Sequence, residues 1–337
     1  MLFKFSTVLV ALATLSAALP SVEQPPALSR RSETPADAIH AMLNTTTAAL
    51  VEYKVRQMYR DEQKNLAAAK SNNPVEKGGQ VIITTTQATL EKYANYAGAA
   101  YVVNSKAWNC PISCQTAATA GTVVYHQWAD VVGANVGYVA YKESTKEIII
   151  SFRGSQTLFD WITNADFGQD AWPSSVSGSK VHSGFLDAHK AQASTIQAKI
   201  AELVAKYPTF NIVFTGHSLG GALASIGAAD LARLHPTWVS RIVLYTYGQP
   251  RTGNSAYASW VQNLGFPIFR VTYQEDMVAR VPPTSFGYSH HSQESWYPTG
   301  GGLKFCGANG ESSTCINSIS VFSLSTADHS DYPGLAH

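Results

Sequence analysis

Gly216-His217-Ser218-Leu219-Gly220 sets a serine between two glycines, and its flanks give the pentapeptide chemical meaning. Asn211-Ile212-Val213-Phe214-Thr215 before it reads as a buried strand, and residues 221–231 after it read as a helix. A serine hydroxyl is a weak nucleophile unless a sharp turn exposes it and a base removes its proton. Small residues at 216 and 220 let strand and helix approach closely. Ser218 then falls at the helix N-terminus, where backbone N–H groups and the helix dipole favour developing negative charge. The chemistry this supports is acyl transfer through a serine nucleophile. A tight turn with a capping serine is the plain alternative.

Such a serine needs a base and an acid that orients it, and in the strand–turn–helix arrangement the chain order is Ser, then Asp or Glu, then His. Asp276 follows the apolar strand pattern at 268–273 and is the expected acid, with Glu275 as runner-up and a solvated loop carboxylate as the alternative reading. His290, His291, His329 and His337 follow. His337 is the terminal residue, and His290 and His291 come only about 15 residues after Asp276. His329, in Ala327-Asp328-His329-Ser330-Asp331-Tyr332 after an apolar segment, is the expected base. The oxyanion needs donors: the backbone N–H of Leu219, and Ser155 in the loop Phe152-Arg153-Gly154-Ser155 after an earlier strand. Directly after Ser155, Leu158, Trp161, Ile162 and Ala165 fall at i, i+3, i+4 and i+7, an apolar helical face that Phe159 adjoins. A lid that buries this face when closed and offers it to lipid when open fits both position and pattern. An ordinary surface helix is the alternative.

Positioning these groups takes a sheet. A helix is expected over 87–101, strands over 136–141 and 147–152, a helix over 192–206, and further strands over 242–247 and 268–273. Strands alternating with helices imply an α/β architecture with a mostly parallel sheet, helices on both faces, and ligands beyond the strand C-termini. The 337-residue chain carries a net charge of +1, and only 14% of it is charged against about 25% in ordinary domains. That leaves no electrostatic case for nucleic acid. Lys4, the apolar run 8–15 and Ser16-Ala17-Ala18 read as a secretory signal over 1–18; the run stops at Pro20, short of the ~20 apolar residues a spanning helix needs. Residues 19–77, with early prolines, the dibasic pair Arg30-Arg31 and a polar helix-prone stretch over 36–70, read as a propeptide, with a retained N-terminal extension as the alternative. Residues 78–337 form the expected enzyme domain. Cys110, Cys114, Cys306 and Cys315 allow three disulfide pairings; short loops favour Cys110–Cys114 and Cys306–Cys315, and the spacing makes no convincing zinc site.

The chain resembles the secreted fungal triacylglycerol lipases of the Rhizomucor and Rhizopus type, the class 3 lipases. The carrying segments are Ile149 to Ser155, Lys180-Val181-His182-Ser183-Gly184-Phe185-Leu186-Asp187, Thr215 to Gly221, Tyr247-Gly248-Gln249-Pro250-Arg251, and Asp276 with Val281-Pro282-Pro283, continuing to Asp328-His329. The likeness spans about 78–334 in matching order. It implies an α/β-hydrolase fold, the triad Ser218, Asp276 and His329, oxyanion donors Ser155 and Leu219, Trp161 in a lid, a cleaved propeptide and both short disulfides. It implies no cofactor or metal, a monomer, and a lipid droplet or emulsion as the partner.

Three departures stand out. The relatives' third disulfide is missing at both ends, since valines follow Tyr101 and no cysteine follows His329, which implies a stability lower by up to a few kcal/mol. Asp331 and Pro333 replace apolar residues near the C-terminus, so weaker anchoring of the histidine loop is expected. Phe159 stands where one relative has a basic lid residue. A feruloyl-type esterase is the competing enzyme reading, disfavoured by the apolar cluster at 158–162. A decayed, non-catalytic lipid-binding protein is the competing reading from another class.

Overall fold

A computed structural model describes residues 45, 47–60, 84–102, 107–129, 136–155, 166–291, 293–306 and 310–336. The signal segment 1–18 and the lid residues Leu158, Phe159, Trp161 and Ile162 lie outside the described residues. The elements below belong to one unit, Thr46–His337.

Ile148-Ile149-Ile150 is buried throughout, as expected of a strand covered on both faces. It lies in β3 (Glu147–Phe152), between β2 (Val136–Lys142) and β6 (Asn211–His217). The eight-stranded sheet runs β1-β2-β3-β6-β7-β8-β9-β10, with β1 (Val123–Ala129), β7 (Ile242–Tyr247), β8 (Ile268–Tyr273), β9 (Glu294–Tyr297) and β10 (Lys304–Phe305). β3, β6, β7, β8 and β9 are parallel, while β1–β2–β3 and β9–β10 pair antiparallel. A small hairpin of β4 (Gln169–Ala171) and β5 (Lys180–His182) stands apart.

Side chains alternate across this sheet with a period of two, so each strand feeds two cores. Ile148, Ile150, Phe152, Ile212 and Phe214 pack with α2 (Ser183–Lys206) and α3 (Leu219–Leu234) on one face. Ile149, Val213, Tyr245, Tyr247 and Val271 pack with α1 (Gln87–Val102) on the other. A short helix, α4 (Ser255–Gln262), is N-capped by Asn254, whose side chain accepts from the Tyr257 N–H. The strands at 242–247 and 268–273 fall where the sequence puts them. The helix expected from 192 begins at Ser183. Gly184 weakens helix propensity there, and the burial of Phe185, Leu186 and His189 outweighs it.

Both short disulfides are formed, Cys110–Cys114 and Cys306–Cys315. Among the described residues, Glu294, Cys306 and Cys315 are the one group spaced like metal ligands, and its two sulfurs bond each other. No helix of the described residues is long and apolar enough to cross a membrane.

Candidate active site

β6 runs straight into α3 through Ser218, which sits at φ 61° and ψ −131°. A non-glycine residue there is strained by about 1–3 kcal/mol and persists only where its surroundings fix it. Close packing does so: a Cβ at Gly216 would lie 2.2 Å from the Gly220 carbonyl oxygen, and one at Gly220 would lie 2.1 Å from that of Phe152. The Ser218 N–H donates to the Tyr247 carbonyl at 2.8 Å, fixing the turn to β7. Ser218 is buried, and its hydroxyl has no hydrogen-bond partner among the described residues.

The parallel edge gathers the remaining groups. Phe152 pairs with Gly216 across β3 and β6, so Ser155 and Leu219 each lie three residues beyond a matched pair. Leu219 opens α3, whose first N–H groups have no intrahelical acceptor. Half-buried Ser155 follows the end of β3.

Asp276 lies three residues past β8 and is wholly buried. Its carboxylate accepts from His329 Nδ1 at 3.0 and 3.1 Å, from the Val278 N–H at 2.8 Å and from the Tyr332 hydroxyl at 2.6 Å. The Nδ1 bond puts the lone pair of neutral His329 on Nε2, which is buried and also without a partner. A buried hydroxyl and a buried imidazole nitrogen therefore stand unsatisfied in one site, and an unpaired buried polar group is costly. Gly248, at φ 57°, follows β7 beside the acid and the imidazole; a Cβ there would come within 2.8 Å of the His329 ring and 2.9 Å of Asp276. Together the groups can deliver a serine alkoxide to a carbonyl and take up the proton.

Of the residues expected from sequence, Ser218, Asp276 and His329 share this edge with Ser155 and Leu219. Glu275 offers its backbone instead, its N–H donating to Asp328. His290 and His291 are core groups. His290 Nε2 donates to the Ala279 carbonyl at 2.7 Å, and His291 Nε2 lies 2.9 Å from both Ser225 Oγ and Gln249 Nε2. Burial, with Arg270 adding to it, holds His291 down to about 3, and burial likewise lowers His290, so both are neutral. His337 lies outside the described residues.

The C-terminal tail corrects the expectation of weak anchoring. Tyr332 is buried beneath Asp276, Leu335 is buried with α1, and the Ser113 hydroxyl donates to the Ala336 carbonyl. Sequence reading also missed Tyr101 and His217. His217 Nε2 donates to the His329 carbonyl at 2.7 Å, which leaves Nδ1 to accept from the Tyr101 hydroxyl at 2.8 Å. The His217 and His329 rings lie 4.4 Å apart, so the residue before the serine supports the histidine loop from below. Nothing in the spacing of 101, 217 and 329 signals this.

After residue 165 the chain is held firmly. His182 Nε2 donates to the Asp166 carbonyl at 2.7 Å, and the Tyr288 hydroxyl donates to Phe167 and Gly168 carbonyls at 3.1 and 3.2 Å. Burial lowers the His182 pKa, so the ring stays neutral.

Comparison with known proteins bears on the family and the fold. The family model described as Lipase (class 3) matches residues 149–286. A lipase of Rhizopus oryzae is 34% identical over 275 residues, 79% of this chain and 69% of that protein. The secreted mono- and diacylglycerol lipase 1 of Fusarium solani is 39% identical over 232 residues, 66% of this chain and 67% of that one. Among solved structures, the native Rhizomucor miehei lipase propeptide complex superposes with a TM-score of 0.69 at 31% identity, covering 80% of this chain and 91% of that one.

Proposed function

The chain belongs to the class 3 lipase family, and from that membership we infer a secreted lipase that cleaves carboxylic esters through Ser218, His329 and Asp276. The observations that carry the residue assignment are two buried atoms with no hydrogen-bond partner among the described residues, Ser218 Oγ on a strained strand-to-helix turn and His329 Nε2 on a ring held by Asp276. His329 Nε2 takes the Ser218 proton as Oγ attacks the ester carbonyl carbon. The carbonyl oxygen becomes an oxyanion received by the Leu219 N–H and by Ser155, where one donor is worth about 3 kcal/mol of barrier. Asp276 holds the imidazole in its productive tautomer and stabilises its charged form. His329 then protonates the departing alcohol, leaving an acyl-serine. Water attacks that ester with His329 as base, releasing the fatty acid and restoring Ser218.

Triacylglycerol at a droplet or emulsion surface is the proposed substrate, with Leu158, Phe159, Trp161 and Ile162 as the apolar lid face that meets it. We assign 1–18 as the export signal, 19–77 as the pro-region and 78–337 as the lipase domain, acting as a monomer without nucleic acid. The test is initial rates on tributyrin from below to above its solubility limit, beside methyl ferulate. A jump as droplets form, little ferulate cleavage and complete loss in Ser218→Ala are expected. Smooth saturation below the limit, or preferred ferulate cleavage, makes the protein an esterase without a working lid. Turnover by Ser218→Ala overturns the nucleophile.

A further inference from the structure

The helical run 47–60 lies within the region that sequence reading assigns to a discarded pro-region. Val51, Val55 and Tyr59, spaced i, i+4 and i+8, form one stripe, and all three are buried. They pack into a cluster with Met277, Val278, Val281, Val321 and Leu324. Those residues belong to the two segments next to Asp276 and His329.

The two segments are bonded to each other at the acid. Asp276 bridges Ser325 in parallel register, the Met277 N–H donates to the Ser325 carbonyl at 3.0 Å, and the Ser325 N–H donates to the Glu275 carbonyl at 2.9 Å. The helix adds polar ties to both segments. Glu52 Oε1 accepts from the Thr326 N–H at 3.2 Å and its hydroxyl at 3.1 Å. Thr326 precedes the turn Ala327–Ser330 that carries His329, and its carbonyl accepts from the His329 N–H at 3.3 Å. Arg56 donates to the Leu324 carbonyl at 3.3 Å and lies 3.3 Å from Glu52. On the other segment the Tyr59 hydroxyl donates to the Arg280 carbonyl and accepts from Arg251 Nη1 at 3.4 Å.

We propose that helix 47–60 is a working part of the enzyme, a clamp seated on the Met277–Val281 and Val321–Thr326 segments that holds Asp276 and His329 in register. This deepens the esterase reading above and rests on it. Besides the Thr326 hydroxyl and Arg251, the helix bonds to backbone groups of Thr326, Leu324 and Arg280, in the segments that flank Asp276 and His329, which is where a positioning partner sits. Its apolar stripe is fully covered, so a cut between 61 and 77 would leave the helix bound without a covalent link. Loss of the helix would expose the apolar cluster and leave the Thr326 N–H without its carboxylate acceptor, loosening the turn that carries the base. A displacement of about 1 Å there is enough to cost roughly 100-fold in rate.

The experiment inserts a site-specific protease sequence between 61 and 77 of the full chain, cuts it, and follows the helix by gel filtration. The helix is expected to co-elute with the core. Removing it in mild denaturant, followed by refolding, is expected to lower kcat on a soluble p-nitrophenyl ester about tenfold or more with KM changed less than twofold. A synthetic peptide of residues 45–62 should restore kcat, and the same peptide with Val51→Asp and Val55→Asp should not. In the intact chain Glu52→Gln, which keeps the stripe, is expected to lower kcat several-fold. A rise in activity on helix removal makes the segment a blocker and overturns the proposal. Unchanged kcat after removal, or failure of the peptide to restore it, overturns it as well. If the intact chain cleaves no ester, the esterase reading fails instead; the clamp is then judged by whether the peptide raises the melting temperature of the stripped core.

Discussion

Removing the Tyr332 hydroxyl, as Tyr332→Phe, isolates one of the groups that hold the acid. The Asp276 carboxylate is fully buried and accepts from His329, Val278 and Tyr332, the Tyr332 bond being the shortest at 2.6 Å. Burial, reinforced by the Asp276 charge and this hydrogen bond, raises the Tyr332 pKa far above the ordinary tyrosine value, so the phenol is always the donor. A hydrogen bond to a charged group contributes about 1.5–3 kcal/mol, and phenylalanine fills the same space without replacing it. The folded state should lose about 2 kcal/mol, which at roughly 2–4 °C per kcal/mol lowers the melting temperature by about 4–8 °C. In the mechanism proposed above the carboxylate stabilises the imidazolium of the transition state, so kcat should fall about tenfold with KM little changed. Thermal melts and steady-state kinetics on a soluble butyrate ester measure both. If kcat/KM stays within twofold and the melt is unmoved, Tyr332 does not hold the acid, and the anchoring assigned to the tail is wrong.

Three other outcomes follow from the same geometry. Gly220→Ala should cost at least about 1–3 kcal/mol and most of the activity, because its Cβ would meet the backbone of Phe152 at 2.1 Å, where no side chain can yield; a normal melt and rate would mean the turn is looser than described. His217→Leu should lower kcat more than it changes KM by releasing the His329 carbonyl, and His217→Gln, which retains an N–H donor, should recover part of it; equal rates for the two variants would deny the support. His291 is held to about 3, below its ordinary 6.5, so in acid the unfolded chain takes up a proton that the folded chain refuses. Its contribution to stability is complete above about pH 6.5 and is lost as pH falls toward 3, so His291→Gln should narrow the gap in melting temperature between pH 7 and pH 4.5; an unchanged gap would place the acid sensitivity elsewhere.

Much of the site was legible because its logic is local. A strand, a serine between small residues and a helix are neighbours in the chain, so Ser218 and Leu219 could be read from eleven or so consecutive positions. Asp276 was expected after β8 because a parallel sheet returns its strand ends to one edge in chain order, whereas His329 follows no strand and was expected from chain order alone. Buried strands such as 147–152 announced themselves by apolar runs. Helix α2 was read nine residues short because propensity at Gly184 is a local signal, while the burial of Phe185 and Leu186 is not.

Neighbouring residues and chain order were enough to foresee the strand–Ser218–helix turn and the strands β6 and β8 that lead to Ser218 and Asp276. What holds those groups still came from long-range packing alone. Tyr332 reaches Asp276 across 56 residues, His217 reaches the His329 carbonyl across 112, and Glu52 reaches Thr326 across 274. Such contacts have no period and no motif. They exist because folding brings distant backbone groups into a water-poor interior, where each must find a partner, and the partner is whichever side chain the packing has already delivered.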